Sequence, residues 1–304
     1  MKKMIRLVGI ILSVCLLLTG CVVITEEDKH VSTKSDEIAS EDKVTSDETH
    51  TDNEAVAPEV TVEETVVYDG SDIKITLKDI ETGWLGLDIK LLVENYTNKN
   101  IVLSGDNVVV NGVTMSCYMY IEVAAGKKTN GTITIYNDNL DLAQIKGIAW
   151  VQTCDAHIVD TDSFATIADV SFEIQTSLGR DYVQVIDESG ELLYEANGIQ
   201  VFTKVMSDEF YGKNLVLYVK NGSGKDVIVR AENISVNGFT MDAWMYDFVS
   251  AGTVRFCELD LWESGLEENG IDVVENISFT VQITDANSYY TLAESGELQV
   301  FIQE

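Results

Sequence analysis

The sequence predicts an all-β protein that contains two antiparallel β-sandwiches in tandem. Three observations lead to this prediction. The chain repeats itself at an offset of 126 residues, each copy holds about seven short runs rich in β-branched and apolar residues, and no proline follows Pro58. Because proline lacks a backbone donor, its absence from both copies is compatible with continuous hydrogen-bonded ladders.

The repeat is clearest where residues 107–126 align with residues 233–252, because 11 of these 20 positions are identical. Val-Asn-Gly, Thr-Met and Met-Tyr recur at the same register in both segments. A period this long indicates a duplicated domain, since solenoid units span only roughly 20–50 residues. We predict that the first copy covers residues 66–179 and the second residues 180–304. Chemistry built into the ancestral domain is expected to survive in both.

Strand and turn signals support a sandwich in each copy. Predicted strands include residues 73–77, 87–93, 132–136, 148–153 and 170–174, with counterparts at 199–203, 215–219, 258–262, 277–283 and 298–302. Asn111-Gly112 and Asn237-Gly238 lie between β-rich runs and predict type I′ hairpins, so we interpret them as fold determinants. Short helical turns are predicted at 140–143 and 266–268. This strand count is typical of immunoglobulin-like sandwiches, although the Cys–Trp–Cys signature is absent.

The N-terminus predicts export. Lys2, Lys3 and Arg6 precede an apolar run of 12 residues at 7–18, which is short for a membrane span and typical of a signal peptide. Leu18-Thr19-Gly20-Cys21 resembles the lipobox of bacterial lipoproteins. The resemblance implies that residues 1–20 are removed and that Cys21 carries a diacylglycerol. With a further acyl chain such as palmitate, this would anchor the protein at the extracytoplasmic face of the membrane.

Residues 21–65 are predicted to form a disordered acidic linker. Between residues 22 and 65 there are 14 acidic and 3 basic residues and no aromatic residue, a composition that cannot bury enough apolar surface to fold. The formal charge of the chain is −31, of which the leader carries +3 and the linker −11, which leaves −23 for the repeats. Without a basic stripe the chain is not expected to bind nucleic acid, whereas cationic partners remain open.

Three turn and core patterns carry a wider resemblance. Residues 91–101 read Leu-x-Val-Glu-Asn-x-Thr-x-Lys-x-Ile, residues 110–115 Val-Asn-Gly-x-x-Met, and residues 124–128 Ala-Ala-Gly-Lys-Lys. Together they resemble immunoglobulin-like domains of unknown function in Firmicute surface proteins. The resemblance implies a fold and a Gram-positive envelope location, and it implies no catalytic residue.

Catalytic signals are sparse, and we predict a non-enzymatic protein without a cofactor. His157 is the only histidine of the repeats, and neither a Gly-rich phosphate loop nor a CxxC pair is present. On a regular strand Cys154 and His157 would face opposite sides, because their separation is odd. For Cys117 and Cys154 two readings stay open, a disulfide or buried free thiols, with Cys257 unpaired in both.

Metal ligation is a weak signal in this sequence. The segments Asp138-Asn139-Leu140-Asp141 and Asp160-Thr161-Asp162 offer loop carboxylates of the kind that bind calcium. At the 126-residue offset their counterparts are Ser264-Gly265-Leu266-Glu267 and Ala286-Asn287-Ser288. We therefore predict no metal site, and a small-ligand or calcium-binding envelope component is the alternative function.

Aromatic side chains are the candidate binding residues. If Met115, Cys117 and Met119 point inward from one strand, the two tyrosines between and after them point outward. Such residues either pack the repeats together or stack on a sugar or peptide. The first turn of each copy adds a second aromatic group, which either recognises a ligand or folds back over the core. The candidates are Tyr118, Tyr120, Trp244 and Tyr246 on the strand, and Trp84, Phe210 and Tyr211 at the turn. The predicted function is binding or scaffolding at the bacterial envelope, with an unknown envelope or extracellular protein or glycan as partner.

Overall fold

Antiparallel strands make up most of the part of the chain that the structure describes, and the all-β sandwich prediction is confirmed. The computed structural model describes residues 60–209 and 212–302. Within these ranges the helices are two six-residue turns, α1 (Asn137–Leu142) and α2 (Glu263–Glu268), close to where the sequence predicts them. Alternation of apolar residues explains the sandwich, as in the third strand, where Ile89, Leu91 and Val93 are buried and their neighbours are half-buried.

The first repeat contains ten strands in two layers. One layer has the order β1-β2-β3-β6, and the other is built on β4, which pairs with β7 and β8 while these pair with β10 and β9. β5 pairs with β4 along its length and with β6 at Cys117–Met119, so it joins the layers. The strands are β1 (Thr65–Asp69), β2 (Ile73–Thr82), β3 (Gly86–Asn95), β4 (Ile101–Val110), β5 (Val113–Val123), β6 (Lys128–Tyr136), β7 (Trp150–Thr153), β8 (Ala156–Asp160), β9 (Thr166–Val170) and β10 (Glu173–Gln175).

The second repeat has the same layers. One has the order β11-β12-β13-β18, and in the other β14 pairs with β19, which pairs with β20 and β21. The equivalent of β5 is broken into three pieces: β16 pairs with β18, whereas β15 and β17 pair with β14. The strands are β11 (Leu192–Ala196), β12 (Ile199–Glu209), β13 (Gly212–Asn221), β14 (Val227–Val236), β15 (Phe239–Thr240), β16 (Ala243–Trp244), β17 (Tyr246–Val249), β18 (Val254–Trp262), β19 (Asn276–Asp285), β20 (Thr291–Glu294) and β21 (Leu298–Phe301).

The Asn-Gly pairs determine the fold in two ways. Asn111 and Asn237 both have φ of 50°, and the glycines that follow have φ of 92° and 83°, as type I′ hairpins require. The Asn111 side chain also donates to the carbonyl of Gly147 at 2.6 Å and accepts from the N–H of Ala149 at 2.9 Å. Asn237 makes the equivalent bonds, at 2.7 Å to Val273 and 2.9 Å from Glu275. Each asparagine therefore fixes the hairpin and the connection after the short helix.

The repeat offset changes from 126 to 125 residues late in each copy. In the first repeat β7 ends at Thr153 and β8 begins at Ala156, while the equivalent β19 runs without interruption. The first repeat thus carries one extra residue at Cys154-Asp155, so Asp160 corresponds to Asp285. A constant offset of 126 residues had paired Asp160-Thr161-Asp162 with Ala286-Asn287-Ser288, and this pairing was wrong by one residue. The predicted strand at 170–174 was also wrong, because residues 171 and 172 separate β9 from β10.

Each repeat has its own apolar core, and the two repeats also pack against each other within one compact unit. Tyr218 on β13 is fully buried within the core cluster of the first repeat, between the rings of Phe202 and Phe256. Val254 and Val113 form a parallel bridge between β18 and β5. The interface therefore uses the outer face of the β12-β13-β18 sheet, which the sequence did not single out.

A buried arginine crosses this interface. Arg255 is 6% exposed, and its guanidinium donates to Asn107 Oδ1 and Ser116 Oγ of the first repeat, both at 2.7 Å. It also pairs with Asp247 at 2.8 Å, which compensates its charge.

The first repeat begins before residue 66, where the linker was predicted to end. The N–H of Ser177 donates to the carbonyl of Thr61 at 2.8 Å, so Thr61 is already bound to the folded repeat.

Candidate functional site

The outward-facing aromatic residues of β5 are exposed in the folded protein. Met115, Cys117 and Met119 are buried, whereas Tyr118 is 56% and Tyr120 is 50% exposed. The alternation of the strand explains this placement. Tyr120 also donates a hydrogen bond from its hydroxyl to Glu122 at 3.1 Å, so its ring is oriented along the strand.

The equivalent pair in the second repeat forms a stacked platform. Trp244 is 60% and Tyr246 is 44% exposed, with ring centroids 5.8 Å apart and planes inclined by 23°. Buried Met245 separates them and marks the break between β16 and β17. Of the two roles that the sequence left open, packing between the repeats falls instead to Tyr218, Phe202 and Phe256. The platform faces solvent.

The first turn also presents its aromatic residue outward. Trp84 is 91% exposed at the β2–β3 turn, so it does not fold back over the core. Gly86 follows this turn. Glycine is required at this position because a Cβ there would lie 1.9 Å from the Ile135 carbonyl oxygen. The candidates Phe210 and Tyr211, and the lipidation candidate Cys21, lie outside the described residues.

A cleft between the repeats was missed by the sequence analysis. It has a volume of about 430 Å³ and takes its walls from both copies. Tyr246 of the stacked platform lines it, together with Asp106, Asp155, His157, Asp226 and Tyr289. The extra residue at Cys154-Asp155 shapes one wall. A local signal was present, since Asp-x-Asx-Ser-aromatic occurs at residues 160–164 and again at 285–289.

Of the aspartates considered for calcium, Asp160 is already engaged, and so is Asp285, its equivalent in the second repeat. Lys99 Nζ lies 2.7 Å from Asp160 Oδ2, and Lys225 Nζ lies 2.9 Å from Asp285 Oδ2. The other oxygen of each aspartate accepts backbone N–H bonds from its own turn. The lysine ammonium and these N–H donors lower the pKa of both carboxyls, that of Asp285 to about 2. Among residues 60–209 and 212–302, no three His, Cys, Asp or Glu side chains form a metal-binding group.

The Cys154–His157 neighbourhood differs from its prediction. Because the bend at residues 154–155 inverts the strand alternation, both side chains line the same cleft and not opposite faces. His157 Nδ1 lies 2.8 Å from Asp169 Oδ1, so the ring is already paired. Burial raises the pKa of the Cys154 thiol, and the nearby carboxylates of Asp155 and Asp226 raise it further. A protonated thiol is a poor nucleophile, and all three cysteines of the described chain are free.

Comparison with protein-family models and with curated proteins found no match. The helices of the described residues are too short and too polar for a transmembrane segment.

Proposed function

We propose that the protein is a non-enzymatic binding module of the bacterial envelope, held at the membrane by lipid on Cys21 and raised by the acidic linker. The observation that carries this proposal is the exposed aromatic pair at equivalent positions of both repeats, Tyr118 with Tyr120 and Trp244 with Tyr246. Large exposed rings cost solubility and are typical of recognition surfaces. An immunoglobulin-like origin and a Gram-positive source remain part of this proposal.

Two further observations support a binding role over catalysis. The His157 ring is paired with Asp169, and the Cys154 thiol is kept protonated. The aspartates that repeat between the copies, Asp160 and Asp285, are bound to lysines and serve their turns. These groups thus have structural roles, while the repeated aromatic residues have none that the fold requires.

A pull-down tests the binding role. The full chain is incubated in detergent with the envelope fraction of the bacterium that encodes it, beside a Trp244→Ala/Tyr246→Ala variant. A Tyr96→Ala/Phe301→Ala variant is the matched control, because these rings are 53% and 69% exposed elsewhere. A protein or glycan retained by the wild type and the control, and lost by the platform variant, is expected. Equal retention by all three would contradict the assignment of the platform.

The lipid anchor has its own test. Wild type and a Cys21→Ala variant are grown with a labelled fatty acid, and the protein is recovered from the membrane fraction. Label on the wild type alone, with release of the variant from membranes, is expected. Unlabelled wild type would contradict the anchor without affecting the aromatic surface.

The alternative of a small-ligand component is favoured by a separate observation, the cleft between the repeats. Its volume lies in the range typical of small-molecule sites, and such sites commonly occur at domain interfaces. The calcium version of this alternative receives less support, because the Asp160 carboxylate is bound by Lys99.

A further inference from the structure

The cleft exists only because the two repeats pack together. The first repeat contributes Asp106, Asn107, Asp155 and His157, and the second contributes aromatic and acidic residues that face them. Arg255 of the second repeat stabilises this arrangement, because its guanidinium donates a hydrogen bond to Asn107 Oδ1 of the first repeat at 2.7 Å. A site built from both copies is absent from either copy alone, so the ancestral domain did not carry it.

The walls of the cleft are negatively charged. Three aspartates and no lysine or arginine line it. The Asp155 carboxylate accepts bonds from the Asn107 side chain at 2.7 Å and from the backbone N–H groups of Asp106 and Asn107. Asp226 Oδ1 accepts from the N–H of Ala251 at 2.8 Å. These donors are neutral, so they bring no positive charge to the cleft, and a cation is the complementary ligand for its carboxylates.

Two tyrosine rings give the cleft an aromatic character that the fold does not need. Tyr246 is stacked on Trp244, and Tyr289 is 70% exposed. Tyr289 has φ of 59°, in the left-handed region that favours glycine and asparagine and is unusual for a bulky aromatic residue. Its equivalent Phe164 has φ of 57° and is 84% exposed. Of these two equivalent rings only Tyr289 lines the cleft, so it is the ring that a ligand there would contact.

Carboxylates and aromatic faces together select one class of ligand. The face of a tyrosine attracts an ammonium group, and it also packs against alkyl carbon atoms. A small hydrated divalent ion would be attracted by the carboxylates, but it would gain little binding free energy from the tyrosine rings. We propose that the cleft binds a small organic cation in which ammonium groups are carried on an alkyl chain. This inference goes beyond the envelope role, because it concerns a small ligand held between the repeats. Tyr246 belongs to both surfaces, whereas Asp106 and Tyr289 line the cleft without being part of the platform.

The test is calorimetric titration of the full chain in detergent with 1,5-diaminopentane at about 0.15 M salt, where long-range attraction is screened. 1,5-Pentanediol supplies the same chain without charge, and magnesium chloride supplies charge without an organic body. The net charge of −31 attracts any cation diffusely, so the decisive comparison is between variants.

The cleft variant is Asp106→Asn/Tyr289→Asn, and the matched control is Asp162→Asn/Phe164→Asn. Both remove one carboxylate and one exposed ring at positive φ, a conformation that asparagine tolerates, so both are expected to stay folded. Only the first pair lines the cleft. Thermal melting of both variants verifies that they fold alike.

We expect the cleft variant to bind the diamine about tenfold more weakly than wild type, and the control to bind as wild type. Equal weakening by both variants would overturn the proposal and indicate diffuse attraction. Binding of pentanediol or magnesium as strong as that of the diamine would also overturn it.

Discussion

Replacement of Asn95 by alanine is expected to destabilise the first repeat strongly, because this side chain closes the β3–β4 turn from inside. Asn95 is 2% exposed, and its amide nitrogen donates to the carbonyls of Lys99 at 2.8 Å and of Val123 and Ala124 at 3.1 Å. Its carbonyl oxygen accepts from the N–H of Thr97 at 2.9 Å and from its hydroxyl at 2.7 Å.

The magnitude follows from these contacts. A hydrogen bond contributes about 1 kcal/mol net, and a buried polar group left without a partner costs about 1–3 kcal/mol. Four or five bonds are lost with Asn95, and the exposed partners on Thr97 and Lys99 can turn to water. We therefore expect a loss of roughly 3–5 kcal/mol in the free energy of unfolding. Asn95→Asp is expected to cost at least as much, because it turns a carboxylate oxygen toward three carbonyls.

The assay is urea unfolding followed by circular dichroism, with two comparisons. Asn221→Ala in the second repeat is expected to match Asn95→Ala, because Asn221 donates to Lys225, Val249 and Ser250 at 2.8–3.1 Å. Asn130→Ala on the exposed side of β6 is the control and is expected to change stability by less than about 0.5 kcal/mol. A loss below about 1 kcal/mol for either buried asparagine would refute the reasoning.

Three other perturbations are expected to separate local from tertiary effects. Gly86→Ala and Gly212→Ala should each lower the melting temperature markedly, because the added Cβ would lie 1.9 Å and 2.1 Å from carbonyl oxygens. Gly112→Ala should cost only about 1–2 kcal/mol, which is the cost of its positive φ. A Cβ added there would meet no atom within 4 Å apart from its chain neighbours, so effects equal to those at Gly86 and Gly212 would contradict the steric account. The folded pKa values of Asp160 and Asp285 lie below the ordinary value near 3.9, so their stabilisation is complete above about pH 4 and is lost as the pH falls toward 2. An Asp160→Asn/Asp285→Asn variant should show a flatter dependence of the urea midpoint on pH between 2 and 6, and an unchanged slope would contradict this. Arg255→Met leaves Asp247 buried without its partner and should cost about 3–5 kcal/mol. We expect wild type to unfold in one calorimetric transition and this variant in two. A single transition at the wild-type temperature would show that the arginine does not couple the repeats.

Local patterns predicted much of the fold because they act over a few residues. Alternation along β5 placed Met115, Cys117 and Met119 inside and their aromatic neighbours outside. Asn-Gly pairs predicted two hairpins, since few other residues accept positive φ at both positions. The outward direction of Tyr118 and Trp244 followed from the same alternation, but their exposure to solvent did not, because packing between the repeats was the open alternative.

One inserted residue shows where such reasoning fails. The bend at Cys154-Asp155 reverses the side on which later residues of the strand lie, so His157 joins Cys154 in one cleft. The same insertion hid the correspondence of Asp160 with Asp285, and with it the strained aromatic pair Phe164 and Tyr289. A gap of one residue is invisible when two diverged copies are aligned at a fixed offset.

By itself, the sequence determined the all-β class, the duplication, the hairpins and the sidedness of the strands, because these depend on short-range periodicity and backbone preference. Only the tertiary structure decided which faces of the repeats meet. Tyr218 and Arg255 read in the sequence as ordinary strand residues, and their burial depends on a partner surface that is distant along the chain. The cleft follows from that packing, since its two walls come from different repeats and from residues 69 or more positions apart along the chain.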